Sequence, residues 1–477
     1  MDVSESLPQR DGYHHATVAV YGDPGSGKKT LLSILNKRPY KRETDGKVFT
    51  FNAQLGTEYS TRVSIAIVLY NAVHRPAAFE ETLQLARKES GFTCVVQTKF
   101  DLVTSDYSNE HLSHLQFAPR VAYKYDVDCI NVSLTTSNGV SELLSLLMNY
   151  LDPPSAPKAT SLGLLQRLRD ALLDRIAALF ALPTRCMTSD ISSELSQITS
   201  DEDLYNRLRT EFDMAWGDRL KQRLHAEASP WSVGVHRITH SLVAKRRVPS
   251  ERASMEYVRQ NTSIPIPRTY LPNISMLVMD FIDGDMLHEC WNKLGLFRRF
   301  RIACTLRVYV NQMRTLRRPA VGAVDTGYMG GILFGDSRHG PFESLSRFRR
   351  FCEYVACVGW RPLVALARIR GEKPPPMPRP SLDWTPVFTH GDLNPSNVLI
   401  DRQGTVWIID WDSAGFYPSC IESVAMWHVD VNIHPDDDAI SWHGYRWFIA
   451  GKTTEEEEQF WYNFFSGIHR FRGIPKV

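Results

Sequence analysis

Phe388-Thr-His-Gly-Asp-Leu-Asn-Pro-Ser-Asn-Val-Leu-Ile-Asp401, followed by Val406-Trp-Ile-Ile-Asp-Trp-Asp412, decides how the rest of the chain is read. Apolar runs flank a polar loop, and Arg402-Gln403-Gly404 marks a turn, so the stretch reads as a β-hairpin with polar groups at its edges. Asp392 and Asn397 stand close enough for one short loop to aim both at a single point, and Asp410 arrives at the end of the next strand. A carboxylate that can orient a hydroxyl, beside hard oxygen ligands for Mg²⁺, is what phosphoryl transfer requires.

The order His390-Gly-Asp-x-x-x-x-Asn, then Ile409-Asp-Trp411, resembles the catalytic and metal loops of the aminoglycoside phosphotransferase family, relatives of the protein kinases. Gly391 takes the place of the arginine in the protein-kinase H-R-D, and Trp411 that of the phenylalanine in D-F-G; both departures suit small-molecule kinases. The resemblance covers residues 230–430 and is similar to fungal members in Ile264-Pro-Ile-Pro-Arg268 and Leu277-Val-Met-Asp-Phe-Ile-Asp-Gly284. It implies a bilobal α+β kinase-like fold, ATP and Mg²⁺, and a small-molecule hydroxyl as acceptor. It also implies catalytic roles for Asp392, Asn397, Asp410 and Lys245, with Asn397 and Asp410 on the metal. Lys245 ends an apolar V-A-K and would anchor the ATP phosphates; Glu256, on the helix that follows, is expected to hold it, with Glu251 assigned to the first turn. The strand before Gly284 would lead to the hinge, where backbone groups of Asp280 and Ile282 are expected to meet the adenine. No glycine-rich lid is evident, Gly234 standing alone in that region.

With 477 residues the chain is long enough for two or three domains. A hydrophobic share of 43% against 23% charged is that of an ordinary globular protein. The formal charge of +2 gives no electrostatic case for nucleic acid or a membrane surface. The 8 cysteines form no C-x-x-C pair, which fits thiols in a reducing compartment. Residues 1–15 read as a polar tail without a signal-peptide core, no window has the length of a membrane span, and a cytoplasmic location is expected.

Near the N-terminus, the β-branched run Ala16–Tyr21 leads into Gly22-Asp-Pro-Gly-Ser-Gly-Lys-Lys-Thr30 and then the apolar Leu31–Leu35. Strand, glycine-rich loop and helix are the setting of a phosphate-binding loop, with Gly22, Gly25 and Gly27 admitting the phosphates and Lys28 balancing their charge. Parallel core strands are expected at Ser64–Tyr70, Thr93–Gln97 and Cys129–Val132, with helices at Ala78–Lys88 and Leu143–Leu151. Together with Thr98-Lys99-x-Asp101, which matches the guanine-reading N/T-K-x-D, and the weaker Ser133-Leu-Thr, residues 16–152 resemble a degenerate Ras-like small GTPase. The resemblance implies a GTP or GDP site at these residues and leaves room for a protein partner. Lys29 stands where the family needs a serine or threonine on Mg²⁺, and lysine has only donors. No D-x-x-G is found, Asn52-Ala-Gln-Leu-Gly56 being nearest, and hydrolysis of GTP is not expected.

The chain therefore reads as two modules: an α/β P-loop domain at 16–152 and a kinase-like domain at 196–477, with its N-lobe at 229–283 and C-lobe at 284–477. Between them, 153–195 holds a proline-rich linker and an amphipathic helix candidate, Leu164–Leu182, suited to packing on a domain or lying at an interface. Lys373–Pro380 reads as a polyproline-like surface insertion. Aromatic residues from Trp427 to Phe465 recur at helical spacing and are expected in a helical core, and Glu455–Glu458 as a solvated helix start. Two functions stay open: an ATP-dependent phosphotransferase with a nucleotide-binding module, or a scaffold with weak catalysis, regulated by guanine nucleotide.

Overall fold

A computed structural model describes residues 13–37, 39–42, 46–56, 62–73, 78–99, 109–137, 139–152, 161–184, 191–209, 234–246, 250–373, 375, 383–432 and 442–469. It divides into two compact units: residues 1–163 with 350–377 and 470–477, and residues 164–349 with 378–469. The helix Leu345–Ile369 thus contributes to both.

In the first unit, β1 (Tyr13–Tyr21), β2 (Tyr40–Lys41), β3 (Val48–Leu55), β4 (Val63–Asn71), β5 (Ser90–Thr98) and β6 (Asp128–Val132) form one sheet. Their order is β2-β3-β1-β4-β5-β6, parallel throughout except for β2. The near-continuous apolar sequence of β4 is explained by cover on both faces. Ile65, Ile67 and Leu69 pack with α1 (Lys28–Asn36) and with α4 (Val140–Leu151) through Leu31, Leu35, Leu143 and Leu147. Ala66, Val68 and Tyr70 face α2 (Phe79–Glu89) and α3 (Asn109–Lys124) through Phe79, Leu83, Val121 and Ala122. This is the expected α/β P-loop architecture, with two adjustments. Strand β1 begins at Tyr13, inside the expected tail, because His14 and His15 pair with Phe49 and Thr50 of β3. Both β2 and β3 also fit into the short interval after Lys28.

The second unit opens with α5 (Ser161–Phe180), which docks on a long helix of its own unit (Leu296–Thr315). Asp174 accepts from Arg307 at 2.7 Å and from Asn311 at 2.8 Å, and the Leu182 N–H donates to Thr305 at 2.8 Å. After α6 (Asp201–Arg209), β7 (Val235–Arg237) and β8 (Leu242–Arg246) lead to α7 (Glu251–Asn261), β9 (Thr269–Tyr270) and β10 (Met276–Asp280). The four strands make an antiparallel sheet in the order β7-β8-β10-β9. The smaller sheets are β11 (Gly284–Met286) with β15 (Val398–Asp401) and β16 (Val406–Ile408), β12 (Met329–Gly331) with β13 (Gly335–His339), and β14 (Pro386–Thr389) with β17 (Gly415–Pro418).

The Leu296–Thr315 helix is buried over every residue from Ile302 to Arg307, so it runs through its lobe rather than along its surface. Trp442 is buried in one cluster with it, and Phe460, Trp461 and Phe464 are buried against Trp384 and Phe334, in line with the helical packing expected from their spacing, while Trp447 is 53% exposed. The acidic helix start differs from expectation. Thr454 and Glu457 form a capping box, but Glu458 turns inward to the buried Arg446 at 2.8 Å. The Lys373–Pro380 segment lies almost wholly outside the described residues. No described helix is long and apolar enough to cross a membrane, and no disulfide joins the described cysteines.

Candidate active site

Strand β14 hands the chain into the loop His390-Gly391-Asp392. Gly391 has φ +77°, and a Cβ on it would sit 2.6 Å from the Ser413 carbonyl oxygen. The arginine of protein kinases has no room there. His390 is fully buried, and burial lowers its pKa to about 4, so the ring is neutral. Its Nε2–H donates to the Ile409 carbonyl at 3.0 Å, and its Nδ1 accepts from the Asp392 N–H at 3.3 Å. One imidazole thus spans from the Asp392 loop to the residue before Asp410. Behind it the buried Glu422 accepts from the His390 N–H at 2.7 Å.

The Asp392 carboxylate is gripped by two amides: Asn394 Nδ2 at 2.8 Å and Asn397 Nδ2 at 2.8 Å, the latter also donating to the Asp392 carbonyl at 2.9 Å. Asn394 caps the short 3₁₀ turn Pro395–Asn397 by accepting from the Ser396 N–H. Burial pushes the Asp392 pKa up to about 7, the two amides oppose the shift, and the charges of Asp410 and Asp412 add to it. Asp410 sits at the end of β16 with φ +64°, a conformation a non-glycine residue adopts at a cost and often at functional sites.

Lys245 Nζ lies 2.5 Å from Asp410 Oδ1 and 2.8 Å from Glu251 Oε1. Burial opposes its charge, but Asp410 and Glu251 more than offset this and hold its pKa above the usual value. Glu251 is therefore the carboxylate on Lys245, and the expected pairing with Glu256 is corrected. Although Glu251 opens α7, it is fully buried and its carboxylate reaches Lys245 of β8. Glu256 is one and a half turns on, 41% exposed on its side chain, and bonds Thr269 at 2.9 Å with Arg252 at 3.8 Å.

Asp280 stands at the end of β10. Its N–H donates to the Arg268 carbonyl at 3.1 Å, and its buried carboxylate holds Arg268 and Tyr270, so this amide is engaged within the β-structure. Asp280 and Ile282 nevertheless line a cavity of about 300 Å³ together with Lys245, Phe281, Asn397 and Asp410. A second cavity, of about 680 Å³, opens on the other side of Asp410 and reaches Asp392 and Asp412. Asp412, two residues past the expected metal ligand Asp410, was not assigned a role from sequence. Burial and the neighbouring Asp410 raise its pKa, the electrostatic signature of a site that favours a cation.

The donor set fits Mg²⁺. The Asn397 nitrogen is committed to Asp392, which leaves its amide oxygen, and Asp410 uses one oxygen on Lys245. Among the described residues no three His, Cys, Asp or Glu side chains are gathered in metal-ligand geometry. A divalent ion here would thus draw on few protein oxygens, the habit of Mg²⁺ at phosphates.

In the first unit the three expected segments converge. Gly22, Gly25 and Gly27 all have positive φ, and Lys28 Nζ folds back on the Gly22 carbonyl and on the Asp23 carbonyl, the latter at 2.7 Å. Thr98 donates to the Ser26 carbonyl at 2.8 Å, tying the Thr98-Lys99 turn to the glycine loop. Leu134 of Ser133-Leu-Thr packs on Gly27. The Ser26 hydroxyl is buried with no hydrogen-bond partner among the described residues. Lys99 is at φ +56°; Asp101 lies outside the described residues.

The model of the phosphotransferase enzyme family (APH) matches residues 210–458, just over half of the chain, and the chain belongs to that family. No curated protein matches it. Among solved structures, the apo translation elongation factor SelB of Methanococcus maripaludis aligns at 18% identity over 31% of this chain and 37% of that one, with a TM-score of 0.23. The G domain of the T. maritima FeoB iron transporter aligns at 18% identity over 29% of this chain and 99% of that one, with a TM-score of 0.20. The chain thus spans little more than a third of the elongation factor.

Proposed function

We propose that the second unit transfers the γ-phosphoryl group of ATP to a hydroxyl of a small molecule. The observation that carries this reading is the meeting of two cavities at Asp410, with Lys245 on one side and Asp392 on the other. ATP would occupy the smaller cavity, its adenine near Phe281 and Ile282 and its phosphates at Lys245, which Glu251 holds in place. Asn397 and Asp410 would hold Mg²⁺, with Asp412 beside them; the bound ion supplies neutralisation of phosphate charge. Asp392, restrained by Asn394 and Asn397, accepts the hydroxyl proton or orients the hydroxyl in line with the phosphorus. A pKa near 7 suits that role, because the carboxylate is basic enough to take the proton and is still substantially ionised. ADP release from Mg-ATP over a panel of hydroxyl compounds tests the reading. Turnover that vanishes in Asp392→Asn supports it, and turnover retained in that variant overturns it.

For the first unit the reading is a guanine-nucleotide binder that does not hydrolyse its ligand. What supports it is the convergence of the glycine loop, Thr98-Lys99 and Ser133-Leu134, with an exposed Lys29 where a metal-binding hydroxyl would be needed. Stabilisation by GDP or GTP, but not by ATP, would favour the regulated scaffold over the kinase. A shift with Mg-ATP favours the kinase.

A further inference from the structure

The family leaves the acceptor open, and the walls of the larger cavity restrict it. At about 680 Å³ the cavity is sized for a small organic molecule. Its carboxylates among the described lining residues are Asp392, Asp410 and Asp412, the groups placed above in catalysis and metal binding. The remaining wall carries a different chemistry. Arg338, on β13, is exposed at the cavity. His428, Phe465 and His469 form a ring cluster, with centroids 3.8 Å apart for His428 and Phe465 and 4.5 Å apart for Phe465 and His469. Burial keeps the His428 imidazole neutral.

Among the described residues of that wall an acceptor bearing several ammonium groups would meet a guanidinium and no further carboxylate, which is discrimination by repulsion. An anionic group would instead meet Arg338 through charge-assisted hydrogen bonds. A ring would meet the half-buried Phe465 and the exposed His469, which the buried His428 backs. We propose that the acceptor is a ring-bearing alcohol carrying a carboxylate or phosphate, its anionic group held by Arg338 and its ring on the His428–Phe465–His469 cluster. This rests on the phosphotransferase reading of the same site.

The test uses the full chain saturated with Mg-ADP and four pyranoses of one shape: glucuronate, glucose 6-phosphate, glucose and glucosamine. Thermal stability is followed against the concentration of each sugar. In the wild type, one or both anionic sugars stabilise at concentrations about tenfold lower than glucosamine does. Whichever of the two acts more strongly distinguishes carboxylate from phosphate. Arg338→Glu reverses the order, and Arg338→Gln levels it should the charge reversal fail to fold. Glucosamine acting as well as the acids, four sugars without distinction, or an order unchanged in the Arg338 variants overturns the proposal. A wild-type chain that does not respond to Mg-ADP at all fails earlier, at the phosphotransferase reading itself.

Discussion

Asn397 donates its side-chain amide to both the carbonyl and the carboxylate of Asp392, at 2.9 and 2.8 Å. The residue proposed to bind the metal therefore also fixes the direction of the residue proposed to act on the hydroxyl. Asn397→Asp keeps an oxygen for the metal but removes the donor and sets a second carboxylate against Asp392. We expect kcat to fall by ~10²-fold or more, measured as ADP release under saturating Mg-ATP.

The two glutamates of α7 separate cleanly. Glu251→Gln removes the buried counter-charge of Lys245 and should weaken kcat/KM for ATP by ~10-fold to 10²-fold, the effect of losing a charged hydrogen-bond partner. Glu256→Gln, on a half-exposed side chain bonded to Thr269, should stay within about twofold. Steady-state kinetics on both variants decide the assignment.

Gly391 tests why this site departs from protein kinases. A side chain there must enter the left-handed region and meet the Ser413 carbonyl. Gly391→Ala is expected to cost about 1–3 kcal/mol of stability, read by denaturant unfolding, and Gly391→Arg more.

Glu422 gives a pH signature. Burial raises its pKa from 4.5 to about 7. The folded chain therefore holds this proton more tightly than the unfolded one. Its contribution is fully present below pH 4.5 and is lost as the pH rises through 7. Glu422→Gln keeps an acceptor for the His390 N–H while removing the charge. The variant should unfold at a higher temperature than wild type at pH 8, and the difference should shrink toward pH 5.

The fold was legible where periodicity is strong. The unbroken apolar run of β4 announces a strand covered on both faces, and the loop between Phe388 and Asp412 carries its spacing openly. What stayed hidden depends on packing across the unit. Glu251 looked like a helix-start acid because sequence does not show that it is buried beside Lys245. Glu422 lies 30 residues beyond Asp392 in sequence and reaches the loop only because the helix Cys420–Asn432 folds behind it. Asn394 could have been found, since an Asx residue directly before Pro395 is a turn-capping signal.

Asp410 is proposed to bring a metal and ATP together beside Lys245. The most direct test is calorimetric titration of the full chain with ATP, with and without Mg²⁺, for wild type and Asp410→Ala. Wild type should bind ATP more tightly with Mg²⁺, and Asp410→Ala should lose that dependence. Absence of Mg-ATP binding by wild type, or identical Mg²⁺-dependent binding by the variant, would contradict the claim.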